Sequence, residues 1–550
     1  MLKTNPSQTR LILARSIAIA VGALFFALNS LPQFLALVYP PPSCRPLWLP
    51  KTADNFQYLT WIEAQKTDVL VENFHTSDGT QKASLIPLAL LVGRVSGATG
   101  LVSGVVYQIL RFVLYLVAAL VVLYAYETFL DSSWQILVAV VAALCCVPLH
   151  SLVLPALAIF RGSAYSFGVA GSEEYMYVAN SLFQDWNHSI FGAVGMITTV
   201  AGVAGAHRFA RSGDRKGLSV FVGACAVSAL LHPFEVFLLL PYLFVSVTLR
   251  HGVASGVKAM PFPVAVSVLC MLPYLVPALF TEWVRLASEQ NRGHFLMSPT
   301  SLLGALGIPS ILALGSFLCW PVLVRFSWSR DRVQLTGLGI WLVLSLLLPF
   351  AEFLPFPRHL LNGISIVIGM FCALLIARLF RHVTPSKRIL GVGAVSFIMM
   401  WSLAAHFALR YYAFRDALVV GGESASSGRF PTSCLTEQES TILSWFHAHS
   451  HPADTVLAPE PFSWLLPSLP MHSFGGHYVF GYARARVSEW AEAKSIVEGH
   501  ASVADSEKFL RAHRIRFLIT SPVARSVPGA CRLELTVADR GVFDCSRFWP

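Results

Sequence analysis

LSVFVGACAVSALLHPFEVFLLLPYLFVSVTL, residues 218–249, is too long for one ordinary membrane crossing of about 20 residues, and His232-Pro233-Phe234-Glu235 interrupts it near the middle. It reads either as one overlong helix or as a hairpin of two short spans. Charge separates the two readings. As a hairpin, the basic segments 250–258, 325–332 and 378–388 all fall on the side of Lys3, Arg10 and Arg15 near the N-terminus. As one helix they fall on the opposite side, against the rule that Lys and Arg stay cytoplasmic. The hairpin is the expected form.

Working outward, apolar runs of membrane length recur through roughly the first 410 positions. The chain of 550 residues is 55% hydrophobic with only 13% charged residues, and its mean hydropathy is +0.61. These values lie far from the soluble average. The expected spans are 11–31, 101–126, 134–159, 187–207, the two halves of the hairpin, 261–280, 301–324, 334–350, 360–378 and 389–409. That makes about eleven transmembrane helices, with the N-terminus in the cytoplasm and the C-terminus outside. The net charge of +10 sits at the N-terminus and in short loops between spans. It therefore sets topology rather than binding nucleic acid. No Walker-type loop is present, so ATP-driven transport lacks its usual signature.

The expected domains are a membrane domain, 1–410, with outer loops 39–100 and 160–186, and an extracytoplasmic α/β domain, 411–550. In the latter, Thr436 followed by Glu439 is a capping box opening a helix to about His449. Segments 454–458 and 516–520 read as buried strands, with a helix near 503–513 between them. Alternation at 532–537 and 542–545 reads as a closing hairpin. Cys44, Cys434, Cys531 and Cys545 all fall on the outer side, where an oxidising compartment would allow Cys531–Cys545 and Cys44–Cys434 bridges. Spacing alone leaves the pairing open.

The first outer loop holds Asp54, Glu63, Asp68, Glu72, His75 and Asp78, a concentration of ionisable groups in an otherwise apolar chain. Asp54 with Gln57 is an N-cap signature for a short amphipathic helix carrying Phe56, Leu59 and Ile62. Such a carboxylate stays ionised, as a general base must. Segment 81–95, with Lys82 and Arg94, reads as a helix along the membrane surface. In the second outer loop, Glu173 and Glu174 are a solvated pair or a site for a divalent cation or acceptor. His188 lies at the following membrane boundary. His232 and Glu235 flank the hairpin turn, where ionisable groups near the bilayer are functional candidates. Arg358 and His359 precede the tenth span; a guanidinium there suits a lipid-linked phosphate. Gly475-Gly476-His477-Tyr478 is a glycine-rich turn in the outer domain, with acceptor contact as its functional reading.

An N-terminal span followed by an outer loop in which Asp54-Asn55-Phe56-Gln57-Tyr58-Leu59 heads a short helix resembles the GT-C integral-membrane glycosyltransferases. So do the surface helix next in line, the many spans and the outer α/β domain. The resemblance is architectural, covers most of the chain, and is nearest to bacterial members of uncertain substrate. It implies transfer of a sugar from a polyprenyl-phosphate donor to an acceptor on the outer face of the inner membrane, with Asp54 as catalytic base. Glu173 and Glu174 would assist; Arg358, His359, His188, His232 and His477 would bind substrate. The implied partners are a lipid-linked donor and membrane lipids, with the acceptor unspecified. Asp54 is followed by Asn55 rather than a second acid, which counts against a metal-assisted version, although the 173–174 pair leaves a divalent cation open. The competing expectations are a transporter or flippase of lipid-linked saccharides, which calls for paired intramembrane charges or inverted repeats, and a non-enzymatic assembly protein.

Overall fold

The computed structural model describes residues within 6–74, 82–146, 189–285, 306–315, 329–379, 391–401, 434–474, 487–521 and 527–548, short gaps and single positions inside these ranges apart. In chain order the helices are α1 (Pro6–Val38), α2 (Ala53–Ala64), α3 (Pro87–Thr99), α4 (Ser103–Phe129), α5 (Ser133–Leu144), α6 (Ile190–Ser212), α7 (Arg215–Leu231) and α8 (Val236–His251). They continue with α9 (Val253–Ala259), α10 (Pro261–Phe280), α11 (Ser329–Leu347), α12 (Ile364–Leu379), α13 (Glu437–His449), α14 (Phe462–Leu465), α15 (Val487–Val497) and α16 (Val503–Ala512). Two compact units emerge: residues 1–31, 109–272 and 292–413 form the first, and 32–108, 273–291 and 414–550 the second.

Six stretches among the described residues are long and apolar enough to cross a membrane: Ser103–Phe129, Ile190–Ser212, Pro233–His251, Val253–Phe280, Val333–Phe350 and His359–Arg378. This is a multi-pass membrane protein. In α4, Ile109, Val113 and Val117 recur at one-turn spacing and are exposed, while Tyr115, Ala118 and Val122 are buried. One stripe of that helix faces lipid and another the bundle. The count of eleven is neither reached nor excluded, because much of 301–324 and 389–409 lies outside the described residues. The expected third span, 134–159, begins as expected, with α5 at Ser133, but α5 ends at Leu144, with Cys145 leaving the helical conformation; residues 147–159 lie outside the described residues.

The hairpin forms. α7 ends at Leu231, His232 adopts φ −157° and ψ 81°, and a single 3₁₀ turn, Pro233–Glu235, leads into α8. Small residues set the packing. A Cβ on Gly205 of α6 would meet the Gly217 carbonyl of α7 at 2.7 Å, and one on Gly217 would meet the Gly205 carbonyl at 2.8 Å. Such positions let helix backbones approach where lipid tails supply no hydrophobic drive for association. α7 therefore runs back along α6 from the Gly213 turn. α8 then runs parallel to α6, since Gly195 lies by Glu235, Gly202 by Leu239, and His251 bonds the Ala210 carbonyl at 2.8 Å. The core of this unit is a continuous apolar cluster that includes Phe129, Trp341 and Phe371.

The second unit centres on a five-stranded sheet built from β3 (Thr455–Leu457), β4 (His472–Ser473), β5 (Phe517–Thr520), β6 (Arg532–Val537) and β7 (Arg540–Asp544) in the order β4-β3-β5-β7-β6. The first three strands are parallel; β5-β7 and β6-β7 are antiparallel. The expected strands and closing hairpin are all present, and Cys531 is bonded to Cys545. Thr436 and Glu439 form the reciprocal cap at the start of α13. Apolar clusters cover both faces: Ile496, Phe509 and Leu510 contribute to one, Ile442, Phe446 and Phe462 to the other. Arg516 bonds both oxygens of Asp454, at 2.8 and 2.9 Å, and tethers the start of β5 to β3. A separate pair, β1 (Cys44–Pro46) with β2 (Cys434–Thr436), joins the first loop to this unit. Cys434 is itself disulfide-bonded.

Candidate functional site

Within the first unit, the hairpin turn brings three polar side chains around one buried carboxylate. Glu235 is fully buried. Its Oε1 accepts from His232 Nδ1 and from Asn362 Nδ2, each at 2.7 Å, and Ser228 Oγ lies 3.3 Å from Oε2. With the carboxylate accepting, the proton on that side of the imidazole is held at Nδ1. A buried carboxylate is tolerated only when its lone pairs are met in this way. The His232 ring stands edge-on to His359 at 4.6 Å between centroids, and Phe234 stacks on His359 at 4.9 Å. His359 belongs to the 3₁₀ segment Pro357–Leu361, which also carries Arg358. Asn362 closes that segment, its backbone N–H bonding the His359 carbonyl at 3.1 Å.

Sequence explains why these groups meet here. Pro233 cannot continue α7, so the chain turns and carries Glu235 back under Ser228 and His232. Gly195 of α6 leaves room for the carboxylate: a Cβ there would lie 2.6 Å from Asn362 Nδ2 and 2.9 Å from Glu235 Cδ. The basic cluster lies at the other end of the same helices. There Arg208 bonds Asp214 at 2.7 Å, and Asp214 caps α7 through the Lys216 N–H at 3.0 Å. That backbone bond first, and Arg208 second, hold the Asp214 carboxyl below its ordinary value against the opposing effect of burial. α6 has 23 residues, so the two ends stand roughly 35 Å apart.

In the second unit, α2 begins at Ala53, so Asp54 lies in the first helical turn rather than at the cap, one position from the expected register. Phe56 and Leu465 share a small cluster with Leu435, and the Phe56 and Trp464 rings are 5.6 Å apart. α2 thus packs on the α/β sheet's own helical layer. On its other side, Gly93 of α3 approaches the Ile62 carbonyl, where a Cβ would stand at 2.6 Å. Arg94 satisfies the exposed carbonyls of Lys66 and Thr67 just past the end of α2, at 3.1 and 3.2 Å. Three carboxylates of this loop have structural partners: Glu63 with Ser103 and Lys66, both at 2.6 Å, Asp68 with Lys82 at 2.7 Å, and Glu72 with His472 at 3.8 Å. The hydrogen bond to Asp68 raises the Lys82 ammonium above its ordinary value.

Of the residues expected to carry chemistry, His232 and His359 come together with Glu235, and Arg358 shares their turn. The side chains of Asp54 and Arg358, and all of Glu173, Glu174, His188 and His477, lie outside the described residues. Asn362, Ser228 and Gly195 were not anticipated. The Asn362-Gly363 pair just beyond Arg358-His359 was the one available signal, since Gly363 takes φ +81° there. Among the described residues no group of three or more His, Cys, Asp or Glu side chains is placed to hold a metal ion.

No protein-family model matches the chain, and no curated protein matches it. Among solved structures the chain is similar to the oligosaccharyltransferase AglB from Archaeoglobus fulgidus in complex with an inhibitory peptide and a dolichol-phosphate. The identity is 13%, over 92% of this chain and 69% of that one, with a TM-score of 0.49. It is also similar to the arabinofuranosyltransferase AftD from Mycobacteria, at 11% identity over 96% of this chain and 40% of that one, again with a TM-score of 0.49. The resemblance to GT-C-type transferases read from the sequence thus meets like neighbours. At these scores the likeness carries no functional argument, which has to come from this chain's residues.

Proposed function

We propose that this chain is a GT-C-like glycosyltransferase of a bacterial inner membrane, moving a sugar from a polyprenyl-phosphate donor to an acceptor on the outer face. One observation carries the reading: His232, Glu235, His359 and Asn362, with Arg358 on the same turn, gather at the end of the helical unit opposite its basic loops. The positive-inside rule puts those loops in the cytoplasm and the cluster at the outer rim.

In the reaction, Asp54 takes the proton of an acceptor hydroxyl as its oxygen attacks the anomeric carbon. The bond from that carbon to the phosphate oxygen breaks, and the lipid phosphate leaves with the electron pair. Arg358 neutralises the charge that builds there, a contribution as large as the base itself. Glu173 or Glu174 assists, and His188, His359 and His477 contact substrate. The proposed division is a membrane domain, 1–410, and an extracytoplasmic domain, 411–550.

Membranes bearing the Asp54→Asn chain, supplied with a polyprenyl-phosphate sugar, should transfer at least about 100-fold less sugar than wild type at equal protein level. Undiminished transfer by that variant would remove the catalytic assignment.

A further inference from the structure

The cluster has a second property beyond its location: Glu235 holds the Arg358 turn at two points. Asn362, immediately after the turn, donates its amide to Glu235 Oε1 at 2.7 Å. His359, inside the turn, packs on His232 and Phe234 at 4.6 and 4.9 Å, and His232 is in turn bonded to the same Oε1 at 2.7 Å. Two segments far apart in sequence are thereby locked through a single oxygen. Gly195 is cut away beneath them, and Gly363, at φ +81°, ends the turn in a conformation that favours glycine.

We infer that Glu235 is a positioning residue, and that its carboxylate fixes the 357–362 turn so that Arg358 meets the phosphate of a prenyl-chain lipid. This rests on the donor reading above and deepens it. A guanidinium binds phosphate through a fork of two N–H groups, and such a fork discriminates only when the backbone that carries it is held in one orientation. A 3₁₀ segment of five residues has few internal bonds of its own, so its geometry comes from what it is tied to. Glu235 supplies that tie from beneath the turn, as a fully buried group.

The test measures binding of farnesyl phosphate, with farnesol as the matched chain lacking phosphate, to the purified full-length protein in lipid nanodiscs. Wild type should prefer farnesyl phosphate. Glu235→Ala and Asn362→Ala should each weaken farnesyl phosphate about tenfold, with farnesol unchanged, because a buried partner is removed. Amide exchange over 357–366 should quicken in both. Glu235→Gln keeps an Oε1 acceptor for His232 and Asn362 and should remain within about threefold of wild type. If Glu235→Ala is not recovered folded, Asn362→Ala alone decides. Wild-type affinity in the alanine variants, with unchanged exchange at the turn, would overturn the positioning role while leaving the donor site standing. Equal wild-type affinity for farnesyl phosphate and farnesol would overturn the donor site and this inference with it.

Discussion

Gly195 shows how much one missing methyl group does. Its Cα faces both Glu235 and Asn362, and a Cβ would enter the space those two side chains occupy. Gly195→Ala should lower stability by about 1–3 kcal/mol through overpacking, read as a reduced unfolding temperature in detergent, whereas Gly223→Ala, with open space around its Cα, should be neutral. Asp214 responds to acid. Its folded-state carboxyl lies below the ordinary value near 3.8, so its contribution is complete above that range and disappears as pH falls through the depressed value. The Lys216 amide should therefore exchange more readily with solvent in strong acid, and Asp214→Asn should flatten that response. His232 and His359 were legible in the sequence because ionisable groups are costly near lipid and stand out. Ser228, Asn362 and Gly195 were not, since each also fits an ordinary cap, turn or helix contact.

Among the elements, the strongest local signals gave the right boundaries. Thr436 and Glu439 close on each other as a capping box, the Glu439 N–H bonding Thr436 Oγ1 at 3.2 Å and Glu439 Oε2 accepting from the Thr436 N–H at 2.9 Å. Thr436→Ala should cost about 1 kcal/mol, and Thr436→Ser should restore most of it; thermal unfolding of the full chain is the measurement. The hairpin of α7 and α8 was readable because charge parity constrains topology even where hydropathy is continuous. α5 begins where the apolar run predicts but ends before that run does. The apolar run continues past Leu144, yet Cys145 at φ −90° and ψ 8° already leaves the helical conformation. Apolarity reports the solvent; it does not report where the backbone turns.

For the whole molecule, the proposed orientation is testable by labelling from one side of the membrane. A cysteine placed at Ser212 should stay unlabelled by a membrane-impermeant maleimide in intact cells, and one placed at His500, an exposed position of the α/β sheet unit, should react. The opposite pattern would reverse the outer assignment of the Glu235 cluster. Replacing both Cys531 and Cys545 by Ser removes a crosslink spanning 14 positions. It should destabilise that unit by about 2–4 kcal/mol in chemical denaturation.

The pairing of β1 with β2 has a consequence for biosynthesis. Cys44 emerges from the ribosome early and Thr436, its ladder partner, late, with most of the bilayer insertion happening in the interval. The helix bearing Asp54 consequently remains without its packing surface until translation is nearly finished. Non-local closure of this kind is slow, so the nascent loop needs shielding in the interval. A chain stopped before residue 434 would insert its helices yet leave that early segment unmoored.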